Sequence, residues 1–291
     1  MNQIELKALA KINLGLDVLG RRENGYHDVR MVMQSVYLYD EVRIEKTEAP
    51  GITLAANLTF LPTGEGNIAY KAAQLLIDEF HITDGIRITL NKHIPVAAGL
   101  AGGSSNAAAV LFGMNRMFHL GLTREELMAR GVRLGADVPY CIMRGTVLAE
   151  GIGEELSVLP AMPKCTVLIA KPPVSVSTKV VYEALDAKEI VEHPDIDGII
   201  DGLEKHSLKQ VAACMGNVLE DVTIPMHPVI KEIKNEMKAA GALNAMMSGS
   251  GPTVFGLFES RIDAKNAQRR IRDKALTKQV YVTGIHSVRR S

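Results

Sequence analysis

Residues 94–115 read IPVAAGLAGGSSNAAAVLFGMN. A run of small residues holding Gly99, Gly102 and Gly103 passes without a break into an apolar pattern. In that pattern Ala107, Val110, Leu111, Met114 and Phe118 fall along one helical face. This junction constrains the fold, because a helix N-terminus carries unsatisfied N–H groups and a partial positive charge. Glycines ahead of it let the backbone approach a ligand closely and adopt conformations barred to other residues. Together they make a cradle for an anion, above all a phosphate. Ser104 and Ser105 add hydroxyl donors at the helix start. A small-residue helix start packed against a sheet explains the stretch equally well when it is taken alone. The stretch is neither G-x-x-x-x-G-K-[ST], since no Lys-Ser/Thr follows the glycines, nor a G-x-G-x-x-G dinucleotide fingerprint.

If an anion binds, it binds locally. The 291 residues carry 33 basic and 33 acidic side chains, and no basic excess points to nucleic acid or an anionic membrane. No apolar run approaches the roughly 20 residues that span a bilayer, and the N-terminal MNQIELKALAK has no signal-peptide core. Cys141, Cys165 and Cys214 are odd in number and widely spaced, and form no metal-ligand pair or disulfide framework. A cytoplasmic protein with no nucleic-acid or membrane partner is expected. A hydrophobic content of 47% over this length supports one or two packed domains.

Along the chain, residues 4–19 alternate loosely and predict one or two strands, followed by a hairpin-type turn at Asn24-Gly25. Residues 29–46, rich in Val, Ile and Tyr, predict another strand. Asn67 opens a predicted helix to about Phe80, and residues 85–94 alternate as a strand. Thr123 and Glu126 form a capping box for a further helix. LGADVPYC, residues 134–141, should break it, with Pro139 holding Val138 out of helical conformation. The two prolines of SVLPAMPKC place a domain boundary near residue 160, giving domains 1–160 and 161–291. Beyond it a strand (TVLIAKP), a helix near Thr178 to Leu185 and a polar segment to about Ser207 are expected. Then come a helix from Pro228 to Gly241, a strand–glycine turn–strand (ALNAMMSGSGPTVFGLFE), a basic helix and a last strand. The pattern is α+β with antiparallel strands in the second half.

Two more motifs bear on the glycine loop. SGSGP, residues 248–252, is a glycine turn that on its own reads as a hairpin. AKINLGL, residues 10–16, puts Lys11 and Asn13 on one face of an apolar strand. The three motifs, in this order and at these separations, make the chain resemble the GHMP kinase superfamily (galactokinase, homoserine, mevalonate and phosphomevalonate kinases) over essentially its full length. AKINL together with GYH, Gly25 to His27, is similar to members acting on an alcohol that carries a cytidine diphosphate group. Ala101 departs from the glycine many relatives have there.

The resemblance implies a two-domain fold, with an N-terminal domain like ribosomal protein S5 and a C-terminal ferredoxin-like α+β domain. It also implies ATP as co-substrate and a small-molecule acceptor. Asp137 matches the catalytic base and Lys11 its partner. Pro95, Val96, Ala97, Ala98, Gly99, Leu100, Ala101, Gly102, Gly103, Ser104 and Ser105 match the ATP phosphate loop. Asn67, Lys92 and Thr178 fall where relatives contact the nucleotide. Asn13, Tyr26 and His27 match the acceptor site, with Tyr182 as a second aromatic for the base. Mg²⁺ is expected from phosphoryl chemistry, with no ligand assigned firmly beyond Ser105 as a candidate. A carboxylate near the γ-phosphate accepts the hydroxyl proton, and an ammonium beside it keeps it ionised. A nucleotide-binding regulator that kept the fold without the chemistry is the alternative class.

Overall fold

A computed structural model describes residues 1–186, 190 and 192–288. The chain forms two compact units. Unit 1 comprises Met1–Ala10, Leu38–Val96 and Ala101–Met143; unit 2 comprises Lys11–Tyr37, Ala97–Leu100 and the chain from Arg144 onward. Residue 160 falls within unit 2. Two long strands, β1 (Gln3–Arg21) and β2 (His27–Thr47), pass through both units. Along β1, residues 3–7 alternate between exposed and half-buried, as one-sided burial requires. From Ala8 to Val18 every residue is buried. Lys11, Asn13 and Asp17 therefore lie in a strand covered on both faces, where a polar group needs a partner.

Unit 1 continues with β3 (Ile52–Ala56), α1 (Ile68–Phe80), β4 (Gly85–Asn91), α2 (Gly102–Met117), α3 (Arg124–Val132) and α4 (Val138–Met143). Strand β4 runs antiparallel to β2, with Leu90 opposite Val42, and parallel to β3, with Ile88 opposite Leu54. Helix α2 is made of small residues because it is enclosed. It packs on α1, and a Cβ on Gly113 would meet Leu6 at 2.9 Å and Ile4 at 3.4 Å. Met117 rather than Phe118 closes its buried face, since Phe118 is already the C-cap. The Thr123–Glu126 capping box of α3 is formed in both directions.

One local expectation fails. Val138 and Pro139 do not break a helix; they begin α4. A proline in the first turn loses only an N–H that has no helical partner there. The break lies earlier, where α3 ends and Gly135 to Asp137 form the turn.

Unit 2 adds β5 (Thr146–Glu150), antiparallel to the first half of β2, and β6 (Glu155–Val158), antiparallel to β5. It then runs through β7 (Thr166–Lys171), α5 (Thr178–Leu185), α6 (Ile196–Glu204), α7 (Leu208–Cys214), β8 (Gly216–Asn217), α8 (Glu220–Met226), α9 (Val229–Ala239), β9 (Asn244–Met247), β10 (Val254–Phe258), α10 (Arg261–Asp273) and β11 (Gln279–Gly284). The last four-stranded sheet has the order β11-β7-β10-β9 and is antiparallel throughout. Numbered from β7, this is the 4-1-3-2 order of a ferredoxin-like domain, with α9 and α10 packed on the sheet. The fold is α+β, as the sequence predicts.

The segment expected to be polar up to Ser207 holds α6 instead. Ile196, Ile199 and Leu203 recur at helical spacing and are buried, and the Asp195 carboxylate caps the helix by accepting from Gly198 N. Asp197, Asp201 and Glu204 on its outer face gave the segment its polar look. Among the described residues, no helix is long and apolar enough to cross a membrane.

Candidate active site

The stretch from Pro95 to Ser105 crosses from unit 1 into unit 2 and back: Ala97–Leu100 belong to unit 2, the rest to unit 1. Its left-handed backbone positions are Ala97 (φ 50°), Gly99 (φ 70°) and Ala101 (φ 55°). Glycine is obligatory only at Gly99, where a Cβ would run into the Ser248 carbonyl. Ala101 occupies the left-handed N-cap of α2. Gly102 and Gly103 start the helix in ordinary conformation, and their smallness gives room. A Cβ on Gly102 would lie 3.0 Å from Ile94 Cγ2 and 3.3 Å from Lys92 Nζ. Ala101 has no side chain to cap α2, and no acidic residue lies in its first turn. The first N–H groups of this helix thus have no side-chain cap, as in α5, α8 and α9 and unlike α1, α3 and α10; of the uncapped helices, α2 is the one entered through the glycine loop.

Within unit 2 the glycine turn 248–252 does more than join β9 to β10. Its serines are buried, unlike those of a solvent-facing hairpin tip. Ser248 Oγ donates to Gly99 O at 2.9 Å, and Leu100 O accepts from Lys11 N at 3.1 Å. Asn217 Nδ2 donates to Met247 O and Gly249 O, both at 2.9 Å. Thr178, the first residue of α5, sits 2.9 Å from Ser250 Oγ through its hydroxyl. The turn, residues 97–100, Lys11 and Thr178 are therefore one hydrogen-bonded assembly. Lys11 Nζ donates to Asn13 Oδ1 at 2.8 Å, and Asn13 Nδ2 approaches Met31 Sδ at 3.4 Å.

Also in unit 2, His27 stands at the start of β2 with Tyr182 against its ring, centroids 4.8 Å apart and planes tilted by 40°. His27 Nε2 is 2.6 Å from Asp186 Oδ1, and Arg21 Nη1 is 3.4 Å from Asp186 Oδ2. Tyr26 is 59% exposed, held on a turn in which Asn24 Oδ1 accepts from Tyr26 N at 3.1 Å. Asp186 and Arg21 carry no sequence signal, being 159 and six residues from His27.

Within unit 1, Asp137 follows Gly135 on the turn before α4. A Cβ on Gly135 would lie 3.9 Å from Ser104 Oγ, so this turn abuts the start of α2. The Asp137 carboxylate is half-buried and has no hydrogen-bond or ion-pair partner among the described residues of unit 1. Asn67 is the N-cap of α1. Its Oδ1 accepts from Ala69 N at 3.0 Å and its Nδ2 donates to Pro62 O at 2.9 Å.

Lys92 belongs to a buried cluster that the sequence did not reveal. Its ammonium pairs with Asp40 and donates to Asn106 Oδ1 at 2.8 Å, while Asn106 Nδ2 donates to Asp40 Oδ2 at 2.9 Å. Asp40 Oδ1 accepts from His93 N (2.7 Å) and Ile94 N (2.8 Å). Asp40 thereby ties the strand entering the glycine loop to the helix leaving it.

Residues 67–145 match the GHMP kinases N terminal domain and residues 199–276 the GHMP kinases C terminal domain. A protein of Lachnospira eligens called 4-diphosphocytidyl-2-C-methyl-D-erythritol kinase is 58% identical over 97% of this chain and 98% of its own length. A crystal structure of 4-(cytidine 5'-diphospho)-2C-methyl-D-erythritol kinase superposes with a TM-score of 0.84 at 32% identity, covering 98% of this chain and all of the other. Homoserine kinase from Cytophaga hutchinsonii, 22% identical, shares the fold with a TM-score of 0.80 over 98% of this chain and 95% of its own. An uncapped helix behind a glycine loop, a second buried glycine turn bonded to that loop, and a match of this extent place the chain in one family: it belongs to the GHMP kinases.

Proposed function

We propose that the chain transfers the γ-phosphoryl group of ATP to the 2-hydroxyl of 4-diphosphocytidyl-2-C-methyl-D-erythritol, a step of non-mevalonate isoprenoid synthesis. The observation that carries this is 58% identity, over 97% of the chain, to a kinase named for that acceptor. Residues 95–105 cradle the phosphates on the free N–H groups of α2, with Asn67, Lys92 and Thr178 toward the nucleotide. Phosphoryl transfer asks little covalent chemistry of the protein and much positioning and charge neutralisation. Asp137 accepts the hydroxyl proton late in the transfer, and its lack of a partner in unit 1 leaves both oxygens available for it. Lys11, steadied by Asn13, is the cation that favours the developing alkoxide. Asn13, Tyr26, His27 and Tyr182 receive the acceptor. Tyr182 and His27 supply adjoining rings, and the exposed Tyr26 a third.

Mg²⁺ entering with ATP needs only one or two protein carboxylates, the rest of its shell being phosphate oxygens and water. The turn that carries Asp137 abuts Ser104, with Ser105 next in the helix; one Asp137 oxygen would meet that demand and leave the other for the proton, whereas Asp40 is consumed by its four donors. Bound there, the ion would neutralise charge on the β- and γ-phosphates. We place the functional domains at 1–160 and 161–291; the two family matches lie on either side of that division. The three free cysteines support action in the cytoplasm.

The test is ADP formation from ATP with a panel of alcohols. The cytidyl substrate should give the highest kcat/KM, and a faster rate with homoserine or phosphomevalonate would overturn the assignment.

A further inference from the structure

The acceptor reading leaves open how a site tells cytosine from uracil. The two bases stack alike and differ at one edge: the 4-position carries an amino donor in cytosine and a carbonyl acceptor in uracil. A histidine can face either, because its neutral ring has one donor and one acceptor nitrogen and the tautomer decides which is which.

From the geometry around His27 we infer that Asp186 is a specificity-determining residue: it fixes the His27 tautomer so that the ring accepts from cytosine and turns uracil away. An ionised carboxylate only accepts. With Asp186 Oδ1 at 2.6 Å, the proton of the neutral ring sits on Nε2, and Nδ1 is left as an acceptor. Nδ1 has no partner among the described residues. An acceptor at that point matches the 4-amino group of cytosine and repels the 4-oxygen of uracil.

Two further features support the assignment. Tyr182 and Asp186 are four residues apart, and the helix that carries Tyr182 against one part of the ring delivers Asp186 to its nitrogen. Asp186 is also the C-cap of α5, where the helix dipole disfavours an acidic residue. A carboxylate placed against the dipole is explained by what it holds, with Arg21 at 3.4 Å offsetting part of its charge. Asp186 touches no substrate in this account and acts through His27.

The inference rests on the proposed cytidyl acceptor, so its test carries one readout that is independent of turnover. The ring nitrogen resonances of His27 in the full-length protein report the tautomer directly. They should show Nε2–H in the wild type. Asp186→Asn, whose amide can accept or donate, should give a mixture of tautomers. In the same variant the preference in kcat/KM for the cytidyl substrate over its uridyl analogue should fall by about tenfold, the scale of one mismatched polar contact. The cytidyl kcat should stay within about threefold of wild type. Asp186→Glu, still acceptor-only, should keep most of the preference. An unchanged preference in Asp186→Asn, or a wild-type ring protonated on Nδ1 alone, overturns the inference and leaves the acceptor assignment standing. A wild type that uses both nucleotides equally overturns the two together.

Discussion

The cluster beneath the glycine loop gives the most quantitative prediction. Asp40 is fully buried and the Lys92 side chain nearly so, and the two form an ion pair closed by Asn106. Removing one member of a buried pair typically costs about 3–5 kcal/mol, because the other charge is left desolvated. Asp40→Asn keeps an oxygen for His93 N and Ile94 N, so the low end applies, about 3 kcal/mol. That is a large share of the roughly 5–15 kcal/mol that holds a protein folded. The new amide would also point donors at an ammonium. Lys92→Met leaves Asp40 with three N–H donors and should cost less, about 1–2 kcal/mol.

Combining the two removes both charges and leaves a neutral amide among neutral donors. Asp40→Asn should then add no more than about 1 kcal/mol to the cost of Lys92→Met, a coupling of about 2 kcal/mol. Guanidinium unfolding of the four proteins measures it. Additivity within about 0.5 kcal/mol would refute the reading of Lys92 as structurally committed. So would a Lys92→Met protein of wild-type stability whose KM for ATP has risen tenfold, because Lys92 would then serve the nucleotide alone. Both effects together would mean that one ammonium braces the loop and meets the nucleotide.

Other expectations follow from single contacts. Gly99→Ala places a Cβ at φ 70° against the Ser248 carbonyl; it should cost about 2 kcal/mol or more in unfolding and weaken binding of a nonhydrolysable ATP analogue at least tenfold by calorimetry. Asp137→Asn should bind both substrates and lose at least about 10²-fold in kcat, while near-normal turnover would remove Asp137 from the chemistry. Glu236 joins α9 to α10 through Lys274 (2.5 Å) and Arg270 (3.0 Å), which hold its carboxyl below the usual range. A carboxylate depressed in the folded state stabilises above its unfolded pKa and loses that contribution as pH falls through the folded value. The stability gap between wild type and Glu236→Gln, about 1 kcal/mol at pH 7, should therefore shrink below about pH 4.5; a gap constant down to pH 3 would refute the ion-pair role.

What could be read from the sequence was local. The loop-to-helix junction, the Thr123 capping box and the helix opened by Asn67 are patterns within a few residues, and backbone propensity fixes them. The partners of those residues were not legible. Asp40 meets Lys92 across 52 residues and His27 meets Asp186 across 159, and no spacing rule reaches that far. Isolated Asp and Lys residues also look like solvated surface until the fold buries them. Pro139 misled for a different reason: its restriction on Val138 is an average over contexts, and the first turn of α4 is where that average fails. Ala101 shows the converse. It breaks a local preference by taking φ 55°, and it does so at the mouth of the phosphate cradle, where rule-breaking residues collect.

Lys11 and Lys92 are both buried, yet the same side chain has opposite surroundings. Lys92 is matched by a carboxylate and an amide oxygen. Lys11, 5% exposed in a strand covered on both faces, has only the neutral Asn13 as its hydrogen-bond partner among the described residues of unit 2. An ammonium held by one amide leaves two of its three protons unmatched by protein in that unit, and such a group destabilises the fold it sits in. Stability alone would favour a methionine of similar length there. Lys11→Met should accordingly raise the unfolding free energy of the ligand-free protein, by about 1–2 kcal/mol on the scale of an imperfectly paired buried polar group. It should at the same time lower kcat by at least about 10²-fold. Paired with Asp137→Asn, the loss in turnover should be well short of the product of the two single losses, since groups acting as a unit are not additive. Denaturant midpoints and steady-state rates on the same preparations decide it. A Lys11→Met protein that is less stable than wild type would make Lys11 another structural lysine like Lys92, and its charge would then be no sign of an anion arriving during the reaction.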